Sequence, residues 1–111
     1  MNFNEHMNNI DFSSLKKLFL EKGKSIEFKK KDYFVRQNEP CKYVGFVQSG
    51  IFRYTRINND GNEPIVGYSF TDNFVCDYPS LIKNSGALTN IQAVTDCSVY
   101  ILSMKELNDF W

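Results

Sequence analysis

The sequence predicts a mainly β domain, built as a closed or double-sheet structure with a short helix at each end. Three observations favour this class. From Ser25 onward the side-chain pattern has a period of two, aromatic and β-branched residues dominate it, and turn residues interrupt it at short intervals. Helical spacing occurs only before this region, after it and at one interruption inside it. Open sheet edges invite aggregation, so many short strands fit best in a closed roll or two packed sheets.

The N-terminal part is expected to be a polar terminus followed by one helix. Residues 1–9 are rich in asparagine and lack periodicity, which is typical of a loose terminus or of a short helix packed on the outside. A helix is predicted over residues 10–23, where Asp11 can cap the start and Gly23 can end it. Its apolar residues fall at helical spacing, and they are Phe12, Leu15, Leu18 and Phe19.

The β-roll itself is predicted over residues 25–102. Its expected strands cover 25–28, 33–36, 43–48, 51–57, 65–70, 74–75, 88–93 and 98–102. The turn at 59–62 contains Asp-Gly, which tolerates positive φ, and it is the clearest hairpin signal. The strand phenylalanines are interpreted as core residues, namely Phe28, Phe34, Phe46, Phe52, Phe70 and Phe74.

Residues 68–93 form the segment that interrupts the strand pattern. Residues 77–82 read as a single helical turn, and Pro79 suits its start because the N–H that proline lacks would be unpaired there. Residues 83–86 are expected to be a loop. A strand, a helical turn and a glycine loop together place several free N–H groups at one point, as an anion pocket requires. The alternative is a simple corner between two sheets.

Composition restricts the setting in which the protein works. The chain has 111 residues, thirteen of each charge sign and a formal net charge of zero, so its surface as a whole does not attract nucleic acid. Its cysteines, Cys41, Cys76 and Cys97, are odd in number and far apart, and no signal peptide precedes them. We expect free thiols in the cytoplasm, and no apolar run is long enough to span a membrane. The run of lysines at 29–31 is interpreted as a solvated turn, and the alternative is a contact with an anionic partner.

A second helix is predicted over residues 103–111. Ser103 can cap it, and Leu107, Phe110 and Trp111 share one apolar face. Because the sequence stops within this helix on two aromatic residues, we expect the natural chain to continue past Trp111, as a dimerisation helix or into another domain.

The order and spacing of several segments carry a family resemblance. KKKD precedes the early strands, and QNEP at 37–40 stands where the family has a G-E-x turn. YVGFVQSG at 43–50 is similar to y-x-y-x-l-x-x-G, NDGNE at 59–63 to d-x-x-G-x-E, and AVTDCSV at 93–99 to A-x-t-d-c-x-v. The chain resembles the sensor domain of the Crp/Fnr (catabolite-activator-type) transcription regulators. This resemblance implies a cyclic-nucleotide-binding β-roll, or double-stranded jelly roll, with flanking helices.

In this family the interrupting segment is a phosphate-binding cassette, F-G-E-(l/m)-x, a loop, then R-(S/T)-A. Its glycine lets the backbone approach a cyclic phosphate, helix N–H groups and the arginine bind the charge, and the glutamate accepts from the ribose. Phe74 matches the aromatic residue, Cys76 stands at the glycine and Asp77 at the glutamate. The arginine position falls at about Ala87 or Leu88, and residues 67–111 contain no arginine.

The missing arginine predicts that cyclic AMP does not bind in the ordinary mode. A hydrogen bond from a guanidinium contributes about 1.5–3 kcal/mol, a factor of about 10 to 150 in affinity. Lys83 could supply only a point charge without the bidentate fork. The candidate ligand-binding residues implied by the cassette are Phe74, Cys76, Asp77, Tyr78, Ser80 and Thr89.

The resemblance implies an effector-sensing, or merely dimer-supporting, domain of a bacterial transcription regulator, and the missing arginine predicts that it does not bind cyclic AMP in the ordinary mode. The alternatives are a genuine domain for cyclic nucleotides or another small ligand, and a protein-interaction module with an empty pocket. In the family a long helix after the roll makes a homodimer, and a helix-turn-helix domain reads DNA. Both would lie beyond Trp111, so contact with DNA would need a domain that this chain does not contain.

An enzyme is not expected. A metal-dependent cupin needs several histidine and carboxylate ligands, whereas the one histidine is His6, in the polar terminus. An iron–sulfur cluster needs about four cysteines, and no serine or cysteine has a histidine in a catalytic motif. We predict no catalytic residue, no metal site and no cofactor. Cys76 would be redox-active only if a helix N-terminus lowered its pKa.

Overall fold

Eight strands form two antiparallel sheets in the computed structural model, which describes residues 12–110. The strands are β1 (Lys24–Phe28), β2 (Tyr33–Val35), β3 (Tyr43–Ser49), β4 (Phe52–Thr55), β5 (Ile65–Ser69), β6 (Phe74–Val75), β7 (Asn90–Ala93) and β8 (Cys97–Ser103). One sheet has the order β1-β8-β3-β6 and the other β2-β7-β4-β5. Successive strands change sheet except at the β4–β5 hairpin, so the double-stranded β-roll prediction is confirmed.

Short helices flank and interrupt the two sheets. They are α1 (Phe12–Lys22), α2 (Tyr78–Lys83) and α3 (Met104–Phe110). Helix α1 buries Leu15 and Phe19, and it ends where the N–H of Gly23 donates to the carbonyl of Phe19 at 2.9 Å. The predicted cap at Asp11 and the polar terminus with His6 lie outside the described residues. No helix within residues 12–110 has the length and apolar character needed to cross a membrane.

Helix α3 begins with a reciprocal cap. The hydroxyl of Ser103 accepts from the N–H of Glu106 at 3.2 Å, and the carboxylate of Glu106 accepts from the N–H of Ser103 at 3.0 Å. Leu107 is fully buried, as its predicted apolar position requires. The side chains of Phe110 and Trp111, the other two members of the predicted apolar face, lie outside the described residues.

The core lies between the sheets and beneath α1, and aromatic rings fill much of it. The rings of Phe46 and Phe74 meet edge to face at 5.5 Å, and both are buried with Phe52. Phe28 and Phe34 are partly buried against this cluster. One core prediction is wrong: Phe70 is 51% exposed, because β5 ends before it and its ring stacks at the surface on Tyr68 at 5.8 Å.

The β4–β5 hairpin was predicted from the turn at 59–62, and its loop is longer than the strand prediction allowed. Strand β4 ends at Thr55, two residues before the predicted end at 57. Gly61 has φ +87, and its N–H donates to the carbonyl of Asn58 at 3.0 Å. The loop therefore uses the positive φ expected of Asp-Gly, but the turn forms within a loop of residues 56–64 and not directly between the strands.

Candidate functional site

Helix α2 begins at a capped and buried position. Asp77 has an extended backbone, with φ −97 and ψ 94, and its Oδ1 accepts from the N–H of Ser80 at 3.2 Å. The predicted helical turn is confirmed, although α2 covers Tyr78–Lys83 and not 77–82. Lys83 is thus the exposed last residue of the helix and does not belong to the loop, as had been predicted. Asn84 ends the helix in the left-handed conformation, with φ 51.

The carboxylate of Asp77 is buried, and its hydrogen bonds come from three nearby residues of the protein. Asp77 is only 4% exposed. Its Oδ2 accepts from the N–H of Leu88 at 3.0 Å, the N–H of Thr89 at 3.1 Å and the hydroxyl of Thr89 at 2.7 Å. With the bond from Ser80 it accepts four hydrogen bonds, about the number that a carboxylate can accept. The charge is therefore balanced by converging N–H and O–H dipoles.

These bonds change the start of strand β7. A strand was predicted from Leu88, but β7 begins at Asn90. The N–H groups of Leu88 and Thr89 point to Asp77 and are not available for a sheet ladder. The prediction of strand structure at 88–89 is therefore wrong, for a reason that lies eleven residues earlier in the chain.

A second set of bonds joins this site to the segment before β3. The hydroxyl of Ser80 accepts from the N–H of Cys41 at 3.0 Å and donates to the carbonyl of Ser85. The Sγ of Cys41 in turn accepts from the N–H of Asp77 at 3.4 Å. The sequence analysis did not assign Cys41 to the site, because 36 residues separate it from Asp77 and no local pattern indicates the contact. The Pro40–Gly86 β-bridge brings the two segments together.

The cysteine beside Asp77 is a buried thiol with a raised pKa. Cys76 is 5% exposed, and burial raises its pKa well above the usual range, with further contributions from the nearby Cys41 and Asp77. Burial also raises the pKa of Cys41. The start of α2 therefore does not lower the pKa of Cys76, which is the condition that redox activity would require. The N–H of Cys76 donates to the hydroxyl of Tyr54 at 3.4 Å.

Metal ligands are not grouped in the described part of the chain. Among residues 12–110, no three histidine, cysteine, aspartate or glutamate side chains lie close enough together to hold a metal ion. The polar atoms at the site are instead those of the Asp77 network, which pairs a carboxylate with amide and hydroxyl donors. Such a network can hold a loop in one conformation, and its donors are those that would otherwise bind an anion.

The family model for the cyclic nucleotide-binding domain matches residues 25–111, which is most of the chain. The chain belongs to this family. The comparison with curated protein sequences found no match to this chain.

Solved structures share the fold of the domain at low sequence identity. The Thermus thermophilus catabolite activator protein is 16% identical with a TM-score of 0.78, over 93% of this chain and 47% of that one. CLP of Xanthomonas campestris, described as a c-di-GMP responsive global regulator, is 18% identical with a TM-score of 0.77, over 87% and 47%. The sensor domain of the regulator DNR from Pseudomonas aeruginosa is 20% identical with a TM-score of 0.70, over 93% and 71%. The chain thus spans about half the length of the first two proteins.

Three of the cassette positions meet in this cyclic nucleotide-binding domain, and three have other surroundings. Asp77, Ser80 and Thr89 come together through the carboxylate network. The remaining three are Phe74, which is buried in the core, Cys76, which is a buried thiol, and Tyr78, which is half-buried against the core.

The positions expected for the arginine carry no cation. Ala87 is 1% exposed and Leu88 is 44% exposed. The three arginines of the chain lie elsewhere. Arg36 stacks over the ring of Tyr33, Arg53 donates to Gln92, and Arg56 lines a surface pocket beside the β4–β5 loop.

Proposed function

We propose that this domain is the effector-sensing domain of a Crp/Fnr-type transcription regulator, and that it does not bind cyclic AMP through a cyclic-phosphate clamp. Membership of the cyclic nucleotide-binding domain family supports a sensing role. Proteins with the same fold include DNR of Pseudomonas aeruginosa, described as a transcriptional regulator, and CLP of Xanthomonas campestris, described as a global regulator. We further propose that it works in the cytoplasm, without catalytic activity, as part of a homodimer, and that DNA is contacted by another domain.

The observation that carries the second part is the position of the Asp77 carboxylate. It lies 2.7–3.1 Å from the donors of Leu88 and Thr89, in the cassette segment where the family binds phosphate. A phosphate entering there would find these donors already bound to Asp77, and no guanidinium would compensate the repulsion between the two negative charges. Two unit charges 4 Å apart repel by about 4 kcal/mol at an effective dielectric constant of 20. The absent guanidinium removes a further 1.5–3 kcal/mol or so. The sum of about 5.5–7 kcal/mol corresponds to an affinity loss of roughly 10⁴- to 10⁵-fold.

An effector for this site would need a different polar pattern. Tyr78 and Thr89 are half-buried next to the carboxylate network, so a ligand without a phosphate could contact them while Asp77 keeps its bonds. Binding would act by population shift, favouring one placement of helix α3 and so of whatever follows it. The candidate residues for this contact remain Phe74, Cys76, Asp77, Tyr78, Ser80 and Thr89.

Calorimetric titration tests the proposal. The chain is titrated with cyclic AMP and cyclic GMP, with a family member that has the glutamate and arginine of the cassette as the positive control. We expect no saturable heat below millimolar nucleotide for this protein. The Asp77→Glu, Ala87→Arg double variant restores the family residues, and Asp77→Glu, Leu88→Arg tests the adjacent position. A dissociation constant near micromolar for the unchanged protein would overturn the reading of the carboxylate.

A further inference from the structure

The outer face of the β2-β7-β4-β5 sheet carries a row of polar and aromatic residues. Tyr33 pairs with Gln92, Gln92 with Arg53, and Arg53 with Tyr68, so the four residues cross all four strands. Directly paired residues project from the same face of a sheet. The flanking partners Phe52 and Ala93 are buried on the opposite face. The row therefore faces outward, away from the core and from Asp77.

A small pocket lies next to Arg53 in this row. Its volume is about 150 Å³, and its lining residues are Lys30, Lys31, Arg53, Gln92, Ala93 and Val94. Three of them are cations and none is acidic. Two carboxylates cap the neighbouring turn: Asp96 accepts from the N–H of Lys30 at 2.8 Å and Asp32 from the N–H of Lys29 at 2.9 Å.

None of the three cations of the pocket forms an ion pair within the described residues, although Asp96 and Asp32 lie at the neighbouring turn. Within residues 12–110, the ion pairs are Lys16 with Asp72 and Lys17 with Glu21, and neither involves the pocket. Like charges that share a small pocket repel each other, and the repulsion is relieved when an anion binds.

The guanidinium of Arg53 is held in place by neutral groups. Its Nη2 donates to Oε1 of Gln92 at 2.8 Å, and Nε2 of Gln92 donates to the carbonyl of Lys31 at 3.0 Å. The N–H of Lys31 donates to the carbonyl of Ala93 at 2.9 Å, although Lys31 has φ +79, which is uncommon for a residue other than glycine. This series of hydrogen bonds orients the guanidinium of Arg53 without neutralising its charge. The guanidinium keeps further N–H donors for an oxyanion.

We propose that this pocket binds a phosphate group, either as free inorganic phosphate or as the phosphate of a small ester. A planar guanidinium matches two phosphate oxygens, and two lysine ammonium groups add charge for a dianion. The pocket is separate from the Asp77 site, so the proposal holds whether or not a cyclic nucleotide binds there.

Nuclear magnetic resonance titration of the whole chain tests this site. Inorganic phosphate is added at constant ionic strength, with sodium chloride as the compensating salt, and O-phosphoserine is titrated in a second arm. We expect saturable shifts at the backbone amides of Lys31, Arg53 and Gln92, with a dissociation constant of about 1–10 mM. If O-phosphoserine binds more tightly than inorganic phosphate, the ligand is the phosphate of a small ester. If it binds equally or more weakly, the ligand is free inorganic phosphate.

Matched variants assign the binding to the pocket. Arg53→Gln should weaken phosphate binding at least about tenfold, as expected for the loss of a charged hydrogen bond. Arg56→Gln removes the same charge from a different surface pocket and should leave the affinity unchanged. Lys31→Asn, which tolerates positive φ, gives a second loss variant, and the amide spectrum of each variant reports its fold. Shifts that grow without saturation, or equal weakening by Arg53→Gln and Arg56→Gln, would overturn the proposal.

Discussion

The Asp77→Asn substitution tests how strongly the carboxylate network holds the cassette. An amide has one acceptor oxygen, so at best it keeps the bonds from Leu88 and Thr89 while its NH₂ group faces the N–H of Ser80. One charged hydrogen bond is lost, at about 1.5–3 kcal/mol, and the retained bonds weaken because their acceptor becomes neutral. We expect a loss of about 2–4 kcal/mol in the free energy of unfolding. Asp77→Ala removes all four bonds and should cost more.

Urea unfolding followed by circular dichroism measures this loss, provided that the slope of the transition is the same in both proteins. The matched control is Asp32→Asn, which removes an exposed carboxylate that accepts only the N–H of Lys29, at 2.9 Å. The control should change the free energy of unfolding by less than about 1 kcal/mol. An Asp77→Asn protein within about 0.5 kcal/mol of the original would refute the reasoning, since four bonds to a buried carboxylate could not then be stabilising.

Three further substitutions follow from local geometry. Gly50 has φ +106, and a Cβ there would lie 2.5 Å from Sγ of Cys97. Gly50→Ala should therefore lower the free energy of unfolding in urea by about 2–4 kcal/mol. In the control Gly67→Ala the new Cβ has nothing within 4 Å, so this free energy should hardly change. Phe74→Ala should cost about 3–5 kcal/mol in the same assay and the exposed Phe70→Ala less than about 1; equal losses would contradict the assigned core. Two hydrogen bonds from Ser103 lower the pKa of Glu106; the backbone N–H contributes most and the hydroxyl less. The ionised form therefore stabilises the fold above the ordinary glutamate pKa, and the advantage over Glu106→Gln should vanish as pH falls through the lowered pKa, as thermal unfolding across pH would show.

The sequence was sufficient to predict the two-sheet roll and its flanking helices. A strand with one buried face repeats every two residues, so β3 and β8 could be located to within a residue from their own side chains. Phe70 was misplaced because alternation continues past the last paired residue of β5, and only pairing decides where a strand stops. The family resemblance was confirmed by the model of the cyclic nucleotide-binding domain, which matches residues 25–111.

The site was harder to predict than the fold, because its bonds join distant segments. Local pattern identified the helical turn and placed Asp77 at its start. It could not show that Cys41 contacts this position, or that Leu88 and Thr89 direct their N–H groups to a carboxylate and leave the sheet. Contacts of this kind depend on which segments the topology brings together, and no spacing rule within a segment encodes them. The ligand roles of the cassette residues stay predictions.

Strand β8 continues directly into helix α3, with Ser103 serving as both the last strand residue and the helix cap. Because β8 is bonded on one side to β1 and on the other to β3, the root of this helix is set in the middle of a sheet. A change in the direction of α3 that exposes Leu107 would cost roughly 2–3 kcal/mol, because this side chain is fully buried. A signalling molecule would have to bind the protein with the moved helix about 30- to 150-fold more tightly to offset that cost. This affinity ratio is the selectivity required of a ligand that switches the protein by exposing Leu107.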